Sequence, residues 1–245
     1  MTATAVSLQA EIIAALATVT DPELDQPITE LGFVRSVAIE DDGVTVHLRL
    51  PTAFCSPNFA YLMASDAVDA LRSVDDIGQV RVLLDDHHDS DKINAGLAAN
   101  AGYTGTFGSE AEDSLDELRT TFLRKAHTAA MERVATTLLN RGMVAADAIY
   151  RLTLRDLPDG REKSALVRRR FALGLSVCPN GRVVVDDEGH PMSPEAVPMR
   201  LRFARSVRIS MEGNTHFCRG LLATRYDDDA TAAPQFTNSR TRRPQ

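Results

Sequence analysis

The chain has 245 residues, of which 44% are hydrophobic and 25% charged, ordinary values for a globular protein of one large or two small domains. No apolar run approaches the length of a membrane span, and the first residues lack the basic start and apolar core of a secretory signal. Only three cysteines occur, far apart, so a disulfide framework is excluded, and we expect a cytoplasmic protein with reduced thiols.

The net charge of −7 is distributed unevenly along the chain. Residues 1–100 hold 16 acidic and 5 basic side chains, a net charge of −11, whereas residues 101–245 hold 18 and 22, a net charge of +4. An acidic half followed by a basic half predicts two units that have different partners or that face each other.

The first 85 residues show the alternation of helix and strand patterns that is typical of a small two-layer domain. Alternating Val44, Val46 and Leu48 predict a half-buried strand, and Asp42-Gly43 before it predicts a hairpin turn. The predicted elements are a helix over 7–19, strands over 33–39 and 44–50, a helix over 59–71 and a strand over 80–84. We therefore expect a compact α-β-β-α-β unit.

The composition changes after residue 85. The next segment is polar, glycine-rich and without a sustained period, which predicts a linker or long loop that is mobile without a partner. Farther on, the patterns predict helices over 115–138, 145–155 and 162–173 and strands over 178–192 and 197–211. The predicted fold class is α+β, with a domain at 1–85, a linker at 86–109, a mainly helical part with a β-hairpin at 110–227, and a disordered tail at 228–245.

Cys55 lies at the junction of a predicted strand and a predicted helix. Ser56 can cap that helix, and Pro57 suits its first turn, because proline lacks only an N–H that has no helical partner there. The amides and dipole at such a helix start favour an anion, so the thiol should ionise more easily and serve as a nucleophile or soft metal ligand. The alternative is a small buried apolar side chain, and the spacing alone leaves both open.

Three motifs in the first domain resemble the metal–sulfur cluster assembly family, whose members include SufT-like proteins and the maturation protein of the phenylacetate oxygenase system. The motifs are Asp21-Pro22-Glu23-Leu24, Leu31-Gly32-Phe33-Val34, and Thr52 followed three residues later by Cys55. The resemblance covers about residues 6–85. The chain departs from the family pattern where Ser56 separates the cysteine from Pro57, and where Glu30 stands in place of aspartate.

The resemblance implies a small α/β fold and a role in the maturation of iron–sulfur or related metal centres. Cys55 would be the functional thiol, Asp21 and Glu23 would line the same edge, and Thr52 belongs to the same motif. Without the resemblance, Asp21 and Glu23 would be read as an ordinary turn, with Asp21 capping the backbone and Glu23 solvated.

Two further groups of residues could bind a metal. His87 and His88, among the aspartates of residues 85–91, offer imidazole and oxygen ligands for iron or zinc, although the composition favours a solvated acidic linker. A second site could gather histidines and cysteines from the C-terminal part of the chain. These residues are Cys178, His190, His216 and Cys218, and their spacing matches no common zinc pattern, so we expect ordinary core or surface positions for them.

The second part of the chain is locally basic. Its arginines are Arg168, Arg169 and Arg170, followed by Arg200, Arg202, Arg205 and Arg208. Because the chain is acidic overall and poor in aromatic residues, nucleic-acid binding is disfavoured. We expect the group from Arg200 to Arg208 to bind an acidic client or the acidic first domain, unless it is simply a solvated face.

These observations favour a cytoplasmic maturation factor that carries iron or an iron–sulfur cluster transiently to a client metalloenzyme, such as a bacterial oxygenase subunit. We expect that the protein does not turn over a small substrate and does not bind nucleic acid or a membrane. A homodimer is compatible with the sequence. One alternative is a metal-independent adaptor or chaperone that binds an apo-enzyme. Another is a thiol-dependent enzyme, although no hydrolase signature surrounds Cys55.

Overall fold

A computed structural model describes residues 3–111, 115–226 and 233–240. The chain divides into two compact units. The first consists of residues 1–115 together with 215–245, and the second of residues 116–214. The units differ from the domains expected from composition, because residues 86–109 and the C-terminal residues belong to the first unit, while the expected boundary near residue 110 lies close to the observed one at 115.

The first unit has the predicted α-β-β-α-β order, with a small hairpin inserted after the first helix. Helix α1 (Ala3–Leu16) precedes the short strands β1 (Thr20–Asp21) and β2 (Gln26–Pro27), which pair antiparallel. Strands β3 (Val34–Ile39) and β4 (Gly43–Leu48), helix α2 (Pro57–Arg72) and strand β5 (Gln79–Leu84) follow. This order confirms the α+β class expected from the sequence.

The main sheet is built on the apolar faces of its strands. β3 pairs antiparallel with β4, and β4 pairs parallel with β5 in a register that places Val46 beside Val82. Gly43 begins β4 rather than occupying the centre of the turn, since Glu40 and Gly43 exchange backbone hydrogen bonds across residues 41 and 42. A Cβ at Gly43 would overlap the backbone of Gln79, so the close approach of β5 requires a glycine.

Helix α2 covers the sheet with an apolar face. Its buried residues are Ala60, Tyr61, Leu62, Met63, Ala64, Ala67, Val68 and Leu71. All of them except Leu62 join Ile12 and Leu16 of α1 and Phe33 in one core. The helix begins at Pro57, as the sequence predicts, so the residues just before it form a rigid corner beside this core.

Residues 86–109 do not form a linker. They contain helices α3 (Ser90–Ala98) and α4 (Gly102–Phe107), and a short 3-10 turn follows at Gly108–Glu110. Ile93 is fully buried in the first core, and Tyr103 and Phe107 stack against each other with ring centroids 5.1 Å apart. The glycine-rich composition did not predict these helices, because their buried apolar residues are few and widely spaced.

The C-terminal residues also contribute to the first unit. Strand β6 (Gln235–Asn238) pairs parallel with β3 and extends the sheet to four strands in the order β5-β4-β3-β6. The expectation of a disordered tail at 228–245 is wrong for the strand residues 235–238, and the parts of that tail at 228–232 and 241–245 lie outside the described residues.

The second unit is mainly helical, as predicted. It contains most of α5 (Leu115–Asn140), two 3-10 turns at Ile149–Arg151 and Leu154–Asp156, and helix α6 (Arg161–Ala172). Its core includes Met131, Leu166 and the run of valines at 183–185. The expected hairpin over 178–192 is reduced to an isolated bridge between Val185 and Pro191, and the helix expected over 145–155 to the two 3-10 turns.

Residues 197–211 are helical rather than extended. They belong to helix α7 (Val197–Arg225), whose residues up to 214 lie in the second unit and whose later residues lie in the first. Leu201 and Phe203 alternate with arginines and mimic a strand over a short window. Within the described ranges, no helix of the chain is both long and apolar enough to cross a membrane.

Candidate functional site

Cys55 occupies the corner between β4 and α2, as the sequence predicts. It lies two residues before Pro57, the first residue of the helix, and its side chain is half-buried against the first core. Ser56 stands at the capping position but makes no side-chain capping hydrogen bond. The thiol is therefore close to the start of a 16-residue helix, where the dipole favours negative charge.

Thr52 positions a hydroxyl against the thiol. The Oγ1 atom of Thr52 lies 3.5 Å from the Sγ atom of Cys55. The same oxygen accepts a hydrogen bond from the backbone N–H of Phe54 at 3.1 Å. Because that bond uses a lone pair, the hydroxyl hydrogen can point at the sulfur and stabilise a thiolate. The threonine-to-cysteine spacing of the motif thus has a direct structural reason.

The ring of His87 holds the corner through hydrogen bonds. It is buried, and its Nε2–H donates to the backbone carbonyl of Cys55 at 2.8 Å, while its Nδ1 accepts from the N–H of Asp89 at 3.1 Å. Both ring nitrogens are engaged, so His87 positions the cysteine instead of offering a nitrogen to a metal. The expected solvated linker is wrong here.

His88 follows the same corner on its exposed side. Its backbone N–H donates to the carbonyl of Ala53 at 2.8 Å, and its ring lies 5.8 Å from that of Phe54. Phe54 is 81% exposed. The two adjacent histidines therefore point into different environments, one buried and one solvated, as adjacent residues of an irregular segment do.

Asp21 is a buried carboxylate in β1. Its Oδ1 accepts a hydrogen bond from the N–H of Leu24 at 2.8 Å, which is the turn expected for this motif. Burial nevertheless raises the pKa of Asp21 to about 6, with a smaller contribution from the charge of Glu23. The carboxylate is thus both a turn-forming group and an acid that lacks solvent around its charge.

Cys218 joins this group from α7. Its half-buried side chain packs against the same core as Cys55. Burial, followed by the negative charges of Asp21, Cys55 and Glu23, raises the pKa of the Cys218 thiol to about 11. All three groups are therefore close enough to act on Cys218 electrostatically. Cys218 packs against a core, as expected, and Cys55 packs against the same core.

The remaining candidates of the second predicted metal group do not join it. Cys178 is exposed in the second unit, and His216 is exposed on α7. His190 lies with Asp186 and Glu188, where the three ligand atoms are within 4.8 Å of one another. Hydrogen bonds from the backbone of residues 188 and 190 to Asp186 account for this cluster as an exposed acidic turn.

The four arginines expected to bind a client divide into two pairs. Arg200 is bonded to the carbonyl of Val185 at 3.0 Å and to Asp187 at 2.6 Å, and its side chain is 9% exposed. Arg208 binds Glu132, a buried residue, at 2.5 Å. Of the four, only Arg202 and Arg205 are exposed. Arg200 and Arg208 form hydrogen bonds and ion pairs within the second unit.

Comparison with known proteins identifies the first unit. The profile of iron–sulfur cluster assembly proteins matches residues 9–84, which include Asp21, Glu23, Thr52 and Cys55. The chain is also 31% identical over 85 residues to the uncharacterized protein MJ1129 of Methanocaldococcus jannaschii, covering 34% of this chain and 87% of that relative. The chain belongs to the iron–sulfur cluster assembly protein family. No solved structure matches it.

Two residues of the site lie beyond the region that matches the iron–sulfur cluster assembly family. His87 follows it by three residues, and Cys218 is far along the chain. A signal for Cys218 existed in the sequence, namely the spacing of three and four residues that defines the inner face of α7. The inner positions are Val197, Leu201, Ala204, Arg208, Met211, Thr215, Cys218 and Leu222.

Proposed function

We propose that this protein binds iron or an iron–sulfur cluster transiently through Cys55 and transfers it to a client metalloenzyme. The observation that carries the proposal is the environment of the thiol. It lies at a helix start, within 3.5 Å of the Thr52 hydroxyl, in the part of the chain that matches iron–sulfur cluster assembly proteins. Thiolates are the ligands that iron–sulfur clusters use.

A carrier must bind its iron or cluster tightly enough to be loaded and weakly enough to release it to the client. The Thr52 hydroxyl and the helix start stabilise the thiolate, while the nearby carboxylates favour a cation over an anion. Loading releases the thiol proton as the sulfur–metal bond forms, and transfer breaks that bond as the client supplies its own ligand. Neither step changes an oxidation state, and in this proposal no small substrate is converted.

The client is a metalloenzyme, and a bacterial oxygenase is one example of the class. In this proposal the second unit recognises the client, with Arg202 and Arg205 supplying positive charge. Met199 and Phe203, on the same stretch of α7, are 64% and 56% exposed and supply apolar contact area. An exposed apolar and basic surface is typical of a protein-binding site.

Anaerobic purification with iron and sulfide analysis tests the carrier function. The wild-type protein, Cys55→Ser and Cys178→Ser are compared, because Cys178 is an exposed cysteine of the other unit and provides a matched control. We expect Cys55→Ser to lose bound iron and sulfide and to abolish activation of the client in cells. Cys178→Ser should behave as the wild type does.

A metal-independent adaptor is the second candidate, and the exposed surface of α7 favours it. An adaptor needs only to hold the apo-enzyme, so it should tolerate serine at position 55. If Cys55→Ser retains iron and sulfide, or supports full activation of the client, the carrier function is wrong and the adaptor function replaces it.

A further inference from the structure

Cys218 is a second thiol at the candidate site, supplied by a helix that the family match does not include. The matched residues end at 84, whereas Cys218 lies in the part of α7 that belongs to the first unit. We propose that Cys218 and Cys55 together ligate the iron or cluster, so that the cargo is held between the family domain and the end of α7. This inference rests on the proposed function and names a ligand of its site.

The first support is that hydrogen bonds to residues in and after β2 fix the position of Cys218. The amide of Gln26 donates to the hydroxyl of Thr215 at 3.3 Å, and Arg219 donates to the side-chain oxygen of Gln26 at 2.9 Å. Arg219 also donates to the carbonyl of Glu30 at 3.4 Å. Thr215 and Arg219 flank Cys218 on the helix, so the turn that carries the thiol is held against the residues that follow Asp21.

The second support is that the end of α7 is tied to the approach to the Cys55 corner. Arg225 donates to the carbonyl of Leu50 at 3.1 Å and also binds the carbonyl of Asp86. The guanidinium of Arg49 lies 5.1 Å from the ring centroid of Tyr226, whose hydroxyl donates to Asp86 at 3.2 Å. Leu50 lies five residues before Cys55 and Asp86 directly precedes His87, so the end of the helix is anchored beside the Cys55 corner.

The third support is that the two thiols border the same core. Cys55 and Cys218 are both half-buried, and both pack against the apolar core of the first unit. Neither forms a disulfide, so both sulfurs keep their capacity to bind a metal.

Two thiolates suit a carrier better than one or four. Binding releases one proton from each thiol and forms two sulfur–metal bonds, with no change in oxidation state. Iron–sulfur centres usually take four cysteine ligands, so two protein thiolates leave positions open to the ligands of the recipient. Transfer then proceeds as the recipient's bonds form and the two bonds to Cys55 and Cys218 break.

The test uses the full-length protein and Co²⁺, whose complexes with thiolates absorb in proportion to the number of sulfur ligands. Wild type, Cys55→Ser, Cys218→Ser and Cys178→Ser are titrated anaerobically. We expect Cys218→Ser to lose half of the thiolate-to-cobalt absorbance and to bind Co²⁺ about 10- to 100-fold more weakly, while Cys178→Ser matches the wild type.

A measurement on the wild-type protein keeps the test independent of folding in the variants. Alkylation of each cysteine is mapped by mass spectrometry with and without Co²⁺, and the metal should protect Cys55 and Cys218 but leave Cys178 reactive. If Cys55 alone is protected and Cys218→Ser binds normally, this inference is wrong and the proposed function stands. If neither thiol is protected and Cys55→Ser binds normally, the carrier function itself fails.

Discussion

Each unit of the protein buries titratable side chains, but their partners differ. The first unit buries Asp21, Arg49 and His87, whereas the second buries His127, Glu132 and Arg170. Arg170 has a clear structural task, because its guanidinium donates to backbone carbonyls of residues 182 and 183. Asp21 accepts a hydrogen bond from the N–H of Leu24, and its negative charge contributes to raising the pKa of the Cys218 thiol. Arg170 is thus a buried charge that builds a scaffold, whereas under the proposed function Asp21 is a buried charge that faces a ligand.

The largest effect should come from Arg170 in the second unit. Its Nη2 donates to the carbonyls of Arg182 and Val183 at 2.7 and 2.8 Å. Arg170→Met keeps the apolar stem but leaves these buried carbonyls without a donor, so the free energy of unfolding should fall by about 3–5 kcal/mol. Hydrogen exchange resolved by residue should show lost protection over 116–214. Arg168→Met, at an exposed neighbouring position, should change little, and equal effects would contradict the scaffold role.

His127 gives the second unit its pH dependence. Burial, and then the charges of Arg170 and Arg200, lower the pKa of His127 to about 4. Since the unfolded chain takes up the proton first, the stabilisation is complete above pH 6.5 and is lost as the pH falls toward 4. The loss should reach about 3 kcal/mol at about 1.4 kcal/mol per pKa unit. His127→Leu should flatten this profile in urea unfolding, and an unchanged slope would assign it to other groups.

Asp21 should give the first unit the opposite pH dependence. Its pKa of about 6 lies above the ordinary value of 3.8, so the folded state holds the proton more firmly than the unfolded chain does. The stabilisation is complete below pH 3.8 and is lost as the pH rises through 6. Asp21→Asn keeps an acceptor for Leu24 and should raise the stability at pH 7 by up to about 3 kcal/mol.

The Asp21→Asn variant also tests whether Asp21 helps to bind a cation. If Asp21 is placed for a cation, Asp21→Asn should bind Co²⁺ more weakly while it folds more stably. Thermal unfolding and cobalt titration of the one variant measure both quantities. A variant that gains stability and keeps full metal affinity would place Asp21 with the turn-forming residues rather than the site.

Local sequence patterns predicted the parts of the first unit whose causes are local. The alternation of Val44, Val46 and Leu48 and the fixed geometry of Pro57 placed Cys55 at the start of α2 without any knowledge of the rest of the chain. His87 was predicted as a possible metal ligand and Cys218 as an ordinary position, and their places beside the Cys55 corner and its core were not predicted, because they depend on residues distant in sequence. The hydrogen bond from His87 to Cys55 spans 32 residues, and no local period encodes such a contact.

The second unit shows how a short window misleads. Over 197–211, arginines alternate with Leu201 and Phe203, which favours a strand with two different faces. The longer run keeps a spacing of three and four residues from Val197 to Leu222, and this period predicts a helix. Helix α7 is formed because the longer apolar face can be buried in both cores, whereas a strand would find no partner strand there among the described residues.

His87 should have a smaller effect, confined to the site. His87→Ala removes the donor to the Cys55 carbonyl and the acceptor for the N–H of Asp89, so stability should fall by about 1–3 kcal/mol. The looser corner should also make Cys55 react faster with iodoacetamide. His88→Ala is the matched control, because its ring is exposed. Equal alkylation rates in the two variants would show that His87 does not position the thiol.

The smallest effect on stability should come from the exposed arginines of α7. Arg202→Glu with Arg205→Glu should change the free energy of unfolding by less than about 0.5 kcal/mol, because both side chains are exposed. If the second unit recognises an acidic client, the double variant should weaken client binding and reduce its dependence on salt. Arg141→Glu with Arg168→Glu makes the same charge change at exposed positions elsewhere in that unit. Binding that falls equally in both double variants would reflect net charge alone, and binding that falls in neither would remove α7 from the client interface.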